Sequence, residues 1–335
     1  MARAAGLVLA AVLTLAPHLA AAAPAVVVDA VRIVGRTRAD APWTDRPTEA
    51  RLADHPELAV VGLGREGGRR VVLVDDGLGR VELGGRAVRP AERVTWGRAG
   101  DVHTRWSLVE PHAFREDGRP SPVGTTTAWH SNVSTTPGDF GRWLGYDEIT
   151  YFETALGPAG TGGGSRRRAA LARPSHRDED VHGGLGTVRY RVAVTLPGGR
   201  ALATPGASAV DRFGILPSVH RVSIRSDDTI LGHLASYFLV PEVFGSAGSG
   251  RNNQTERFVG ADCADVLTGA VRRAGHRRVW HASAAALGRY AHPVAGPAVL
   301  DDAGRPDRPM PGVRAGDIIR IDYGGSLTGS TPRSG

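Results

Sequence analysis

The clearest regularity in the chain runs from Thr187 to Leu196, where Val188, Tyr190, Val192, Val194 and Leu196 alternate with Thr187, Arg189, Arg191 and Thr195. A period of two is the mark of a strand with one face buried. Pro197-Gly198-Gly199 then offers a turn into Arg200–Thr204, which predicts a hairpin. Shorter apolar runs predict further strands at Val26–Val34, Leu58–Leu63, Arg70–Val74, Arg93–Trp96, Thr104–Val109 and His220–Arg225. Short strands with Gly- and Pro-rich connections point to an antiparallel, sandwich-like β-region over 26–226, as one domain or two small ones. Within it, Gly157–Gly186 reads as a long surface loop. Residues 111–148 lack periodicity, although Trp129, Phe140, Trp143 and Tyr146 argue for packing there.

The period changes at Ser226. Ser226 or Asp227 is placed to cap a helix on which Ile230, Leu231, Leu234 and Phe238 recur at helical spacing, with Pro241 ending it. A loop from Gly245 to Gln254 leads to a second helix. Its apolar stripe is Val266, Leu267, Ala270, Val271 and Ala274, and Gly275 is a natural stop. Cys263 shares that stripe, so its sulfur is expected to face inward. A turn over Val313–Asp317 introduces a predicted strand, Ile318–Tyr323.

Composition changes the picture in two places. The first residues carry Arg3, an apolar stretch from Gly6 to Leu15 and small residues at Ala20–Ala23, the pattern of a secretory leader over 1–23. Pro17 and His18 break the apolar run too early for a membrane span. The expectation is an exported protein, secreted or periplasmic, with no integral membrane segment once the leader is cut. The charge balance is +7, yet all 41 basic residues are arginine. A lysine-free, Ala/Gly/Pro/Arg-rich chain indicates a GC-rich genome rather than a nucleic-acid surface, for which clustered basic residues with interleaved aromatics are expected. Weak attraction to anionic envelope polymers fits better.

Cys263 is the only cysteine among the 335 residues. No intrachain disulfide is therefore possible, and an exported thiol is either sheltered or used. A helix N-terminus favours thiolate and offers backbone N–H groups to an oxyanion. That placement makes Cys263 a candidate nucleophile. Asp262 before it is explicable by the helix dipole and is assigned a supporting role. His281, eighteen residues on in Val279-Trp280-His281-Ala282-Ser283, is the candidate for a replacement base, with His292 behind it. The competing reading of Cys263 is a small buried hydrophobe.

Three segments in order carry a family resemblance. Val240-Pro241-Glu242-Val243-Phe244-Gly245-Ser246, Gly260-Ala261-Asp262-Cys263-Ala264-Asp265 and Arg314-Ala315-Gly316-Asp317-Ile318-Ile319 resemble the loop, cysteine helix and Gly-Asp turn of the NlpC/P60 cysteine peptidases. The resemblance covers about residues 230–335. It implies an α+β papain-like thiol hydrolase domain over 227–335, acting on peptidoglycan peptides through an acyl-enzyme on Cys263, without metal or cofactor. Glu242 stands where the family has a tyrosine, and Ala264-Asp265 where it has Ser-Gly. The family's base is a histidine on a later strand, and no histidine follows His292. The expectation is an incomplete domain whose present form is inactive or weak. Two alternatives remain: a non-catalytic envelope-binding or adhesion protein with a degenerate papain-like portion, and a thiol acyltransferase.

Other constellations carry less. His176–His182 holds metal-ligating types at no standard ligand spacing. Gly162–Gly164 and Gly184–Gly186 are not followed by a phosphate-cradling helix. Trp96, Trp106, Trp129 and Trp143 read as core or, less simply, as a carbohydrate-binding face.

Overall fold

The computed structural model describes residues 26–111, 113–114, 120–121, 151–156, 168–169, 183–211, 213–243, 245–248, 253–301, 303, 305–314 and 316–319. The expectations for the leader, most of 111–148, the metal-like run His176–His182, Trp129 and Trp143, and residues 320–335 lie outside the described residues.

The first sheet is built on β1 (Val27–Arg36), β2 (Trp43–Thr44), β4 (Glu57–Glu66), β5 (Arg69–Val74), β6 (Val81–Leu83), β7 (Arg86–Ala87) and β8 (Arg93–Thr95), in the order β7-β6-β2-β1-β4-β5-β8. The β1–β4 pairing is antiparallel from Val27–Arg65 to Arg36–Glu57, with one bulge near Asp29. Gly67 and Gly68, both at positive φ, make the tight turn between β4 and β5 that only such residues reach without strain. The second sheet takes β3 (Thr48–Arg51), β9 (His103–Pro111), β12 (Tyr151–Ala155), β14 (Gly186–Thr195) and β18 (His220–Arg225), in the order β12-β9-β14-β18-β3. β15 (Ala201–Ala203) closes the expected hairpin with β14. Small two-stranded pairs join β10 (Ala113–Phe114) to β11 (Pro120–Ser121) and β16 (Val210–Asp211) to β17 (Gly214–Ile215), and β13 (Arg168–Ala169) pairs with β4. Three contacts, β2–β6, β5–β8 and β18–β3, are parallel, so the region is not purely antiparallel.

Both sheets feed one apolar core. Val28, Val31, Ile33, Leu58, Val60, Val71 and Leu73 of the first meet Trp106, Leu108, Val188, Tyr190, Val192, Val194, Val222 and Ile224 of the second. Trp96 and Trp106 are 1% and 0% exposed. They belong to this core, which removes them from any carbohydrate-binding face.

The polar face of β14 is buried too. Thr187 and Arg189 alternate away from the core, yet they are buried under the segment that carries α1 (Ile230–Ala235) and α2 (Cys263–Arg273), Thr187 against the end of α1 and Arg189 against the stretch before α2. Buried polar groups need partners, and the sheet supplies them. The Thr187 hydroxyl donates to the Ser236 carbonyl at 2.8 Å and shares a hydrogen bond with Ser223. Arg189 donates to the Phe258 and Arg257 carbonyls at 2.8 and 3.2 Å. Arg221 of β18 and Arg273 of α2 both pair with Glu49. Both guanidinium groups also lie over the Phe258 ring, at 4.5 and 4.1 Å from its centroid. Gly186, at φ +118, lets the strand touch this layer: a Cβ there would sit 2.6 Å from the Phe238 carbonyl oxygen.

Both helices depart from their expected faces. α1 is capped by Thr229, whose hydroxyl accepts from Gly232 N, while Asp227 accepts from Thr229 N. The helix stops at Ser236 and Leu239 turns to φ 68, so helical spacing never reaches Phe238. Leu231 and Phe238 are exposed and Tyr237 is buried instead. On α2 the buried positions are Ala264, Asp265, Thr268, Gly269 and Ala270, a face that keeps only Ala270 of the expected stripe, with Val266 partly buried against Tyr237, Phe258 and Ala261. The surface it meets is polar, and Gly269 admits the Tyr237 hydroxyl where a Cβ would lie 2.2 Å away. Gly275 ends α2 at φ +108 as expected. The strand expected from Ile318 is not formed over Ile318 and Ile319, which are exposed with no strand partner among the described residues. Among the described residues no helix is long and apolar enough to cross a membrane.

Two outcomes follow for stability. Phe258→Ala is expected to lower it by about 3–5 kcal/mol in urea unfolding, through the lost ring and the cavity left. His220 is buried, its Nε2 3.1 Å from the Thr48 hydroxyl, and burial followed by the Arg221 charge pushes its pKa from 6.5 down to about 3. Below pH 6.5 the unfolded chain therefore binds a proton that the folded one refuses. Stability holds above pH 6.5 and falls toward acid by up to about 1.4 kcal/mol per pH unit. Urea midpoints between pH 7 and 5 should show a shallower slope in His220→Gln, and an unchanged slope would refute the assignment.

Candidate functional site

The start of α2 is held by hydrogen bonds from one loop. Asp262 is the N-cap: one carboxylate oxygen accepts from Asp265 N at 2.9 Å, the other from Gly245 N at 3.0 Å. Burial, then the neighbouring Asp265 charge, raises the Asp262 pKa. Ser246 lies beneath the cap. It donates to Asp265 Oδ2 at 2.7 Å, shares a hydrogen bond with Thr255 at 2.8 Å and accepts from Asp262 N at 3.3 Å. Ala247 N adds a second donor to Asp265 Oδ2 at 3.0 Å. An acid at the cap and another three residues later is the pattern of a helix start. Here the usual reciprocal bond to the cap N–H comes from Ser246, which frees the Asp265 carboxylate to face the body of the protein.

Cys263 occupies the first helical position and is exposed. The expectation of an inward sulfur is not met. Each helical residue turns by about 100°, so positions two apart lie on nearly opposite sides. Asp265 is drawn inward by three protein donors, and that rotation carries Cys263 out to solvent.

His281 returns to α2 by a different route. Beyond Gly275, Arg272 holds the chain back, donating from Nη1 to the Arg277 and Val279 carbonyls at 2.7 Å each. Its guanidinium also lies 5.2 Å from the Trp280 ring centroid. The imidazole then falls between two acids, with Nδ1 3.0 Å from Asp265 Oδ1 and Nε2 3.5 Å from Glu256 Oε1. Its side chain is 11% exposed. Burial alone would lower the His281 pKa, but the hydrogen bond to Asp265 and the charges of Asp265 and Glu256 outweigh it and raise the value to about 9. Glu256 is pulled down to about 2 by its ion pair with His281, against the opposing effect of burial and with help from Arg272, 2.7 Å away.

The structure thus unites Asp262 with Cys263 in sequence and position, and brings His281 to the helix, but to the face opposite the thiol. At neutral pH His281 is an imidazolium with both nitrogens aimed at carboxylates, and it has no lone pair with which to take a thiol proton. Among the described residues no hydrogen bond joins it to Cys263, and no cluster of three His, Cys, Asp or Glu side chains is placed to hold a metal ion. The sequence reading missed Asp265, Glu256 and Ser246 as organisers. The paired acids at 262 and 265 signalled a cap. Nothing in the sequence signalled that Glu256, seven residues before the cysteine, would meet His281.

The raised His281 pKa has a definite sign. Its stabilising contribution is complete below pH 6.5 and is lost as pH rises through about 9. His281→Ala should therefore destabilise the protein most below pH 6.5, with the difference shrinking between pH 6.5 and about 9 and gone above it. An NMR titration of the imidazole checks this directly, and a midpoint below 6.5 would mean the two acids do not hold it. Protein-family models, curated proteins and solved structures give no match to this chain.

Proposed function

We propose that this chain is an exported thiol hydrolase acting on peptide amides of the cell wall, with Cys263 as nucleophile. The observation that supports it best is an exposed thiol on the first residue of a firmly capped helix. In that reaction the sulfur attacks the amide carbonyl, and the orphan N–H groups of the first helical turn face the developing oxyanion. Loss of the amine leaves an acyl-enzyme, and water or another acceptor releases the acyl group. The loop 245–247 keeps the helix terminus fixed while this happens.

The reaction also needs a proton acceptor near the sulfur, and His281 is committed elsewhere. That single fact favours a second reading, an envelope-binding protein whose thiol is accessible but not catalytic.

Alkylation of the native protein and turnover of peptidoglycan peptides separate the two. The thiolate reading expects iodoacetamide to modify native Cys263 well ahead of a free-cysteine reference at pH 7, with at most slow turnover that Cys263→Ala abolishes. Reaction no faster than the reference, with no turnover, would leave the binding reading. Brisk turnover lost equally in Cys263→Ala and His281→Ala would make His281 the base and overturn its assignment as a buried imidazolium.

A further inference from the structure

Away from Cys263, a cavity of about 140 Å³ opens between the second sheet and the segment leading to α2. Pro47, Ile215, Leu216, Pro217, Val219 and Val259 form its apolar wall, and Arg189, Arg221, Arg257 and Glu256 supply the polar groups. An apolar hollow with a few converging charges is the usual form of a small-ligand site.

One cation on this wall has no carboxylate partner among the described residues. Arg221 is paired with Glu49, and Glu256 with Arg272. Arg257 donates to the Phe213 and Ile215 carbonyls. Arg189 is only 6% exposed, and among the described residues no carboxylate lies within ion-pair distance of it. Its two hydrogen bonds, to the Arg257 and Phe258 carbonyls, both leave from Nη2. Nη1 and Nε make none among the described residues, and neither is sealed from solvent as the orphaned Arg273 Nε is. Burying a cation without a counter-charge is costly, and an anion in the cavity would offset that cost. Burial, with the Arg221 and Arg257 charges, lowers the Arg189 pKa only to about 10, so the guanidinium stays charged at neutral pH.

We propose that this cavity binds a small monocarboxylate with a short apolar side chain, as the C-terminal residue of a peptide presents, with the carboxylate on Arg189. Guanidinium groups match carboxylates in both charge and shape. A single negative charge suits the site because Glu256 on the wall repels a second one. The volume corresponds to about ten water-sized spheres, room for one or two small residues. Pro47 and Pro217 of the lining are both exposed, so the remainder of a peptide would extend past them into solvent.

The inference rests on this cavity alone and stands whether or not Cys263 is a nucleophile. The test is calorimetric titration of the full chain carrying Cys263→Ala, so that no turnover intervenes. The probes are N-acetyl-alanyl-alanine, its C-terminal amide and inorganic phosphate. Saturable binding of the acid is expected, with the amide and phosphate each at least tenfold weaker. Leu216→Trp, which fills the cavity without touching a charge, and Arg189→Gln should each weaken the acid tenfold or more. If Arg189→Gln does not fold, Leu216→Trp decides. No binding of the acid, equal binding of acid and amide, equal binding of phosphate, or full affinity in folded Leu216→Trp would each overturn the proposal.

Discussion

Two guanidinium groups that share one carboxylate lie over the Phe258 ring, and this small assembly governs how the helical segment sits on the sheets. Arg221 comes from the second sheet, Arg273 from the end of α2, and Glu49 from the edge strand β3. Each arginine gains a π-face and a counter-charge together, which is what makes burial of such groups tolerable. Tyr237 from the end of α1 packs on the same ring, with centroids 4.6 Å apart. One aromatic side chain thereby fixes three elements widely separated in sequence. Because the layer is polar, it dictates orientation more strictly than an apolar contact would: a rotated helix would strand charges rather than merely lose area.

The consequences reach the thiol. With Arg273 fixed at one end of α2 and Asp265 held by Ser246, Ala247 and His281 at the other, the rotation of the helix is set. The inward face is filled by small and polar residues, and Cys263 points to solvent. His281 is spent on the same fixation. An imidazolium between two carboxylates makes a good strut and a poor base, since the arrangement that raises its pKa bonds Nδ1 to Asp265 and turns Nε2 toward Glu256. The geometry thus separates nucleophile from histidine, and the thiol chemistry proposed for this chain calls for a proton acceptor other than His281.

The cavity at Arg189 grows from the same layer. Covering the polar face of β14 with a segment that offers carbonyl oxygens satisfies one edge of the guanidinium and leaves the other facing a hollow. A carbonyl accepts a hydrogen bond but brings no net charge, so the positive potential persists where the wall is otherwise apolar.

The strands were legible in the sequence. Alternation along 187–196, and apolar runs bounded by Gly and Pro, follow directly from which side chains water excludes, and they located most of the second sheet and the core of the first. Helix ends marked by Thr229, Asp262 and Gly275 were equally local, because caps depend on a few neighbouring backbone groups, although Thr229 had been passed over for Ser226 or Asp227. What each helix buries was not local. The apolar stripe of α2 was only partly what it packs with: Ala270 goes in, but Asp265 and Thr268 are buried ahead of Leu267 because the surface there offers them partners. The parallel strand pairs, the Arg221–Phe258–Arg273 stack and the approach of Glu256 to His281 depend on residues tens or hundreds of positions apart. The sequence by itself determined which stretches become most of the strands, where α2 begins and ends, and that one thiol stands at a helix start. Only the tertiary structure decided which way that thiol faces and what His281 serves, because both are set by electrostatic partners that no local pattern encodes.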